Sequence, residues 1–193
     1  MTHLTRQDLM SLEQYSEQRE EFRAKAMKLK KARVLAVGPN ATIHFENRVL
    51  MQYQVQEMLQ IEKIFDTAGI QDELDAYNPL IPDGCNWKAT LMIEYEDPEE
   101  RKVALEKLIG IEDKTWVQVA GFDRVYAIAD EDMERENDTK TSAVHFMRFE
   151  LSKEMAEAAK AGADIMVGID HPEYSHMITL SPESANSLRS DLA

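Results

Sequence analysis

Two histidines carry the clearest chemical potential in this chain. His145 lies in Ser142–Leu151 (SAVHFMRFEL) and His171 in Ile165–Tyr174 (IMVGIDHPEY). Both stretches read as strands, where residues of one parity share a face. His145 shares parity with Met147, Phe149 and Leu151, and His171 with Ile165, Val167 and Ile169. Pro172 directly follows His171 and favours extended backbone there. Neutral imidazole suits metal ligation and proton transfer. Two inward histidines on strands that neighbour in one sheet would form a candidate catalytic or metal site. The competing reading is a pair of core histidines held by backbone or carboxylate groups, the commoner fate of a buried ring.

Glu57 is the third candidate for a catalytic or metal-ligating role. It stands four residues after Tyr53 and four before Ile61, so it lies on an apolar stripe of a helix. A carboxylate embedded there takes a raised pKa or a specific partner; the alternative is a helix edge in water. His44–Arg48 (HFENR) joins a strand end to a helix start, where free N–H groups attract anions. His44 and Arg48 are therefore candidate cofactor contacts, although Glu46 or Asn47 acting as a helix cap is the simpler reading. Tyr77, ahead of Asn78-Pro79, is a further candidate on a stiff loop.

The elements that must position these residues follow from periodicity and turn chemistry. Leu4–Leu9 and Ser11–Gln14 carry capping signals, and a helix runs from Leu12 to about Ala32. Arg33–Val37 and Thr42–Glu46 form a hairpin about Gly38-Pro39-Asn40. A long helix from Arg48 to about Ala68 is apolar over much of its circumference and is expected to be buried over the histidine strands. Gly69 ends it, and a short helix follows from Ile70 to Tyr77. Ala89–Glu96 is a strand, and Pro98 opens a helix ending at Gly110. Thr115–Ala120 and Arg124–Ala129 form a second hairpin. Asp130–Asp138 is an acidic surface loop without apolar periodicity. The two histidine strands, a helix at Lys153–Ala161, a strand at His176–Leu180 and a helix after Ser181-Pro182 complete the order. Hairpins dominate, so the fold class is α+β: a mainly antiparallel sheet covered by the long helix and several shorter ones, in one domain over residues 1–193.

The chain has 193 residues and a net charge of -14. That excess of acid argues against nucleic acid as a partner, because phosphate neutralisation drives such binding. Arg23, Lys25, Lys28, Lys30, Lys31 and Arg33 form a basic segment with no acid among them. It reads either as a solvated helix end favoured by the macrodipole or as a surface for an anionic partner. No apolar run is long enough to span a bilayer, and no secretory signal opens the chain, so a cytoplasmic location without a membrane partner is expected. Cys85 is alone and forms no internal disulfide. Gly-rich phosphate loops, the Gly-x-Ser-x-Gly elbow and the His-Glu-x-x-His helix are missing.

HFENR, QVQEML (Gln54–Leu59), ELDAYNPLIPD (Glu73–Asp83), SAVHFMRFEL and IDHPEY together resemble the bacterial family known as domain of unknown function 3501. LTRQDLMSLEQY at the start and LKKAR (Leu29–Arg33) fit it too. The resemblance implies no catalytic residues. It implies an accessory or binding protein linked to redox or oxidative-stress metabolism, because the family's genes lie near those of rubrerythrin-like and iron–sulfur oxidoreductase proteins. A metal-dependent or acid–base enzyme using His145 and His171 is the alternative.

Overall fold

The structure is a computed structural model and describes residues 3–129 and 140–193. The acidic loop expected at Asp130–Asp138 lies outside the described residues.

Three helices from the first half of the chain form a helical layer. Ser11 caps α1 (Leu12–Lys31) by accepting from the Gln14 N–H, and Gln14 returns the bond to Ser11 N–H. Asn47 caps α2 (Arg48–Glu62) by accepting from the Leu50 N–H at 2.9 Å. This helix stops short of the expected Ala68. Lys63 adopts the left-handed conformation at φ 54, and Asp66 starts a new helix, α3 (Thr67–Tyr77), by capping the Gly69 N–H. Gly69 thus opens a helix instead of closing one. Leu50, Met51, Val55 and Leu59 of α2 pack with Ala26, Leu4, Ile70, Leu74 and Ile81. The helix α2 therefore covers α1 and α3, and not the strands that carry the histidines.

The strands form two sheets where the sequence reading expected one. β1 (Val34–Ala36), β2 (Ala41–Phe45), β3 (Asn86–Ile93), β6 (Ile128–Ala129) and β7 (Val144–Glu150) make a sheet of order β1-β2-β3-β7-β6. β4 (Thr115–Val119), β5 (Val125–Tyr126), β8 (Ile165–His171) and β9 (Tyr174–Thr179) make the second, of order β5-β4-β8-β9. Every pairing among them is antiparallel. Inward residues of both sheets, among them Ile43, Phe45, Leu91 and Phe149 against Val117, Val167 and Ile169, form one core. Helices α5 (Lys153–Lys160) and α6 (Pro182–Arg189) add Ala156, Ala159, Ala185 and Leu188 to it.

The second predicted hairpin begins as expected, with Trp116 opposite Tyr126. The chain then crosses at the buried Ala127, and Ile128–Ala129 pairs with β7 in the other sheet. The sheets are also tied at the first hairpin: Tyr174 Oη donates to the Val37 carbonyl at 2.7 Å and accepts from the Asn40 N–H at 2.9 Å.

Arg33 departs from the basic segment. Its side chain is 1% exposed and pairs with Asp191, itself 1% exposed. It also donates to the carbonyls of Phe45, Glu46 and Ser187. The C-terminal turn after α6 is thereby fastened to the first hairpin.

Candidate functional site

The helix α4 (Pro98–Lys107) sits between the end of β3 and the second sheet. Asp97 caps it by accepting from the N–H groups of Glu99 and Glu100 at 2.8 and 2.9 Å, and Pro98 fills the first turn. Glu99 and Glu100 in that turn complement the helix dipole. The helix buries none of its residues fully. Ala104 and Leu105 rest on the sheet core, which leaves Val103 49% exposed.

Two adjoining cavities run along this helix and share Tyr95 and Glu100. One, of about 570 Å³, has Val103, Ala104 and Leu108 on its floor and Glu173 opposite. The other, of about 590 Å³, extends past Ile93 to Pro39 and Asn40 of the first hairpin. Glu94, Glu96, Glu99, Glu100 and Glu173 stand around the rim, against Arg101 and Lys107. The Tyr95 phenol is pushed up, first by burial and then by the Glu100 carboxylate. An apolar floor under an acidic rim, with an aromatic ring at the join, can receive a cation carried on an apolar body. A narrower cavity, of about 330 Å³, lies between Leu9–Glu13 and the α2–α3 junction. It carries one Arg and one Glu and so has no preference of charge.

The two sequence-flagged histidines brace the connector after α4 instead of meeting each other. Their strands, β7 and β8, lie in different sheets. His171 Nε2–H donates to the Ile109 carbonyl at 3.0 Å, and its Nδ1 accepts from the Glu173 N–H at 3.2 Å. The ring ties the end of α4 to the rim residue Glu173. His145 approaches the same connector from the first sheet. Its Nδ1 is 3.7 Å from the Glu112 carboxylate, and its Nε2 meets the Ser142 carbonyl and Thr141 Oγ1 at 2.9 and 3.0 Å. Parity placed both rings inward correctly. It could not choose between one sheet and two.

The remaining candidates hold other parts of the fold. Glu57 takes a bidentate pair from Arg19 at 2.8 and 2.9 Å and a bond from Tyr15 Oη at 2.5 Å. Arg19 first, and Tyr15 after it, hold its carboxyl below the usual range despite partial burial. Glu57 locks α2 to α1, away from either histidine strand. Arg48 pairs with Asp8 at 2.6 Å, while Asn47 is the helix cap. Tyr77 is half-buried against the helical core. His44 lies half-buried on the outer face of β2, where desolvation and Lys30 push its pKa down. Among the described residues, no group of three His, Cys, Asp or Glu side chains could hold a metal ion.

Tyr95, Val103 and Glu173 were missed by reading for catalytic motifs. The run Glu94-Tyr95-Glu96-Asp97-Pro98-Glu99-Glu100 was the available signal. It reads locally as a strand end and a helix cap, and only the tertiary fold sets Glu173 across from it.

No helix among the described residues is long and apolar enough to cross a membrane. No curated protein matches the chain. A solved structure does: a novel protein of unknown function from Burkholderia pseudomallei K96243, 49% identical, covering 100% of both chains with a TM-score of 0.92. A family profile described as protein of unknown function (DUF3501) matches residues 3–192. The chain belongs to this DUF3501 family.

Proposed function

We propose that the protein is a binding protein whose acid-rimmed groove along α4 receives a cationic amphipathic segment of a protein partner. One observation carries the reading: Glu99, Glu100 and Glu173 line the cavity that holds Val103, Ala104 and Leu108, and Glu94 and Glu96 line the adjoining one. Charge on the rim steers a cationic partner and the apolar floor holds it. The chain's net charge of -14 adds long-range attraction of the same sign. The redox or oxidative-stress setting rests on the family resemblance alone, and the groove chemistry is neutral toward it. The enzyme alternative would require His171 to surrender its bonds to Ile109 and Glu173.

A fluorescent lysine–leucine amphipathic peptide, followed by anisotropy, is the direct probe. Affinity is expected to fall as salt rises. Replacing Glu99 and Glu100 together with Gln is expected to weaken binding about five-fold, since two rim charges are worth about 1 kcal/mol. The same change at Glu20 and Glu21, exposed on α1, is the charge-matched control and should have little effect. Equal losses in both variants would refute the groove as the docking site.

A further inference from the structure

We propose that Tyr95 and Glu100 make the α4 groove select arginine over lysine in the segment that docks there, one guanidinium stacking on the ring while it pairs with the carboxylate. The proposal rests on the groove being the docking site. Tyr95 and Glu100 are the two side chains that line both cavities, so a ligand in either one meets them. Tyr95 is half-buried and packs against the sheet core, which fixes the place of its ring. The Glu100 carboxylate acts electrostatically on the Tyr95 phenol, so the two groups are neighbours. Among the described residues no hydrogen bond or ion pair engages that carboxylate, and none joins Arg101 or Lys107 to a rim acid. Helix spacing is the reason. Arg101 follows Glu100 directly, and adjacent residues on a helix do not face each other. Lys107 lies two turns on, about 10 Å along the axis.

Val103 and Ala104, three and four residues after Glu100, stand beside it on the same helix face. They offer an apolar track for the stem of a long cationic side chain, with its head delivered to Tyr95 and Glu100. Here the chemistry of the two basic side chains differs. A guanidinium is planar and weakly hydrated, so it lies flat on a ring while its edge N–H groups give two parallel bonds to a carboxylate. An ammonium is a compact, strongly hydrated point charge and gains less from the ring. The second sheet already contains the arrangement: Arg124 Cζ lies 4.0 Å from the centre of the Trp116 ring, and the same guanidinium pairs with Asp170. At the groove the chain supplies the ring and the carboxylate, and the partner supplies the guanidinium.

The experiment is fluorescence anisotropy of two peptides of one pattern, arginine–leucine and lysine–leucine, with the full chain and its variants. The wild type is expected to bind the arginine peptide about five-fold more tightly, the scale of a partly desolvated cation–ring contact. Tyr95→Phe keeps the ring and is expected to keep that ratio. Tyr95→Leu removes the ring, and Glu100→Gln removes the charge that the guanidinium pairs with; each is expected to bring the ratio close to one. Glu99→Gln, on the same turn but lining one cavity only, is expected to weaken both peptides alike and leave the ratio as it is. Glu100 is exposed, so its variant tests the pairing even if Tyr95→Leu loosens the fold. A wild type that binds the two peptides equally would overturn the arginine preference and leave the groove reading standing. So would a ratio that survives Tyr95→Leu or Glu100→Gln in the folded protein. Peptides that lose no affinity when Glu99 and Glu100 are both Gln would overturn the groove reading, and the arginine preference with it.

Discussion

Arg33→Ala is expected to be among the most damaging single substitutions in this protein. The guanidinium gives Nε to the Phe45 carbonyl at 2.9 Å, Nη1 to the Ser187 carbonyl at 2.9 Å, and Nη2 to the Glu46 carbonyl at 3.1 Å and to Asp191. Asp191 Oδ1 has no hydrogen-bond partner among the described residues. Removing Arg33 strands a buried carboxylate, at a cost of about 3–5 kcal/mol. A domain of this kind has only about 5–15 kcal/mol of stability. The loss depends on pH in a definite direction. Burial pushes the Asp191 carboxyl up to about 6, with Arg33 opposing the shift. Its raised folded-state pKa means that folding takes up a proton between the unfolded value of 3.8 and about 6, so its contribution to stability declines as pH rises through that window. Without Arg33, the carboxyl must stay protonated in the fold. At about pH 7.5 that costs about 2 kcal/mol beyond the wild type, whereas at about pH 5 both proteins already hold the proton. Urea unfolding at the two pH values measures this. Tryptophan fluorescence follows it, because Trp87 and Trp116 are both buried and the Trp87 indole N–H donates to the Leu188 carbonyl at 3.0 Å. Arg33→Met with Asp191→Leu should recover much of the loss. A cost below about 1 kcal/mol for Arg33→Ala, or one equal at both pH values, would refute the reasoning.

Four further outcomes are expected. Gly168→Ala should destabilise by about 1–3 kcal/mol in thermal unfolding, because a Cβ there would overlap the buried Trp116 ring. His171→Phe should cost about 1–3 kcal/mol through its bonds to Ile109 and Glu173, and hydrogen exchange should quicken at the end of α4. Replacing Lys28, Lys30 and Lys31 with Gln should change stability by less than about 0.5 kcal/mol, since all three are exposed. Helical and sheet probes should unfold in one transition, because Arg33, just after α1, anchors both β2 and the α6 turn.

Local rules were legible from residues alone wherever the cause was local. Ser11 and Asn47 are caps that short-range hydrogen bonding dictates, and Pro98 falls in a first helical turn as its fixed φ demands. The alternation in Val144–Glu150 and Ile165–His171 gave strands with inward histidines. Choices made between distant segments were not legible. A left-handed Lys63 breaks an apolar stripe that looks continuous, because Asp66 offers a better start for the next helix. Ala127 switches sheets within a run that reads as one strand. Arg33 belongs to a basic run by sequence and to a buried ion pair by contact with a residue 158 positions away. The groove itself joins Glu94–Leu108 to Glu173, and no local pattern links those segments.

The most direct test of the central claim is a ¹H–¹⁵N shift map of the protein titrated with the lysine–leucine peptide. The account predicts that shifts concentrate at Tyr95, Glu99, Glu100, Val103, Leu108 and Glu173, and that they shrink when Glu99 and Glu100 are both Gln. Shifts spread evenly over exposed acids, or gathered at the cavity lined by Met10, Leu59 and Phe65, would contradict it.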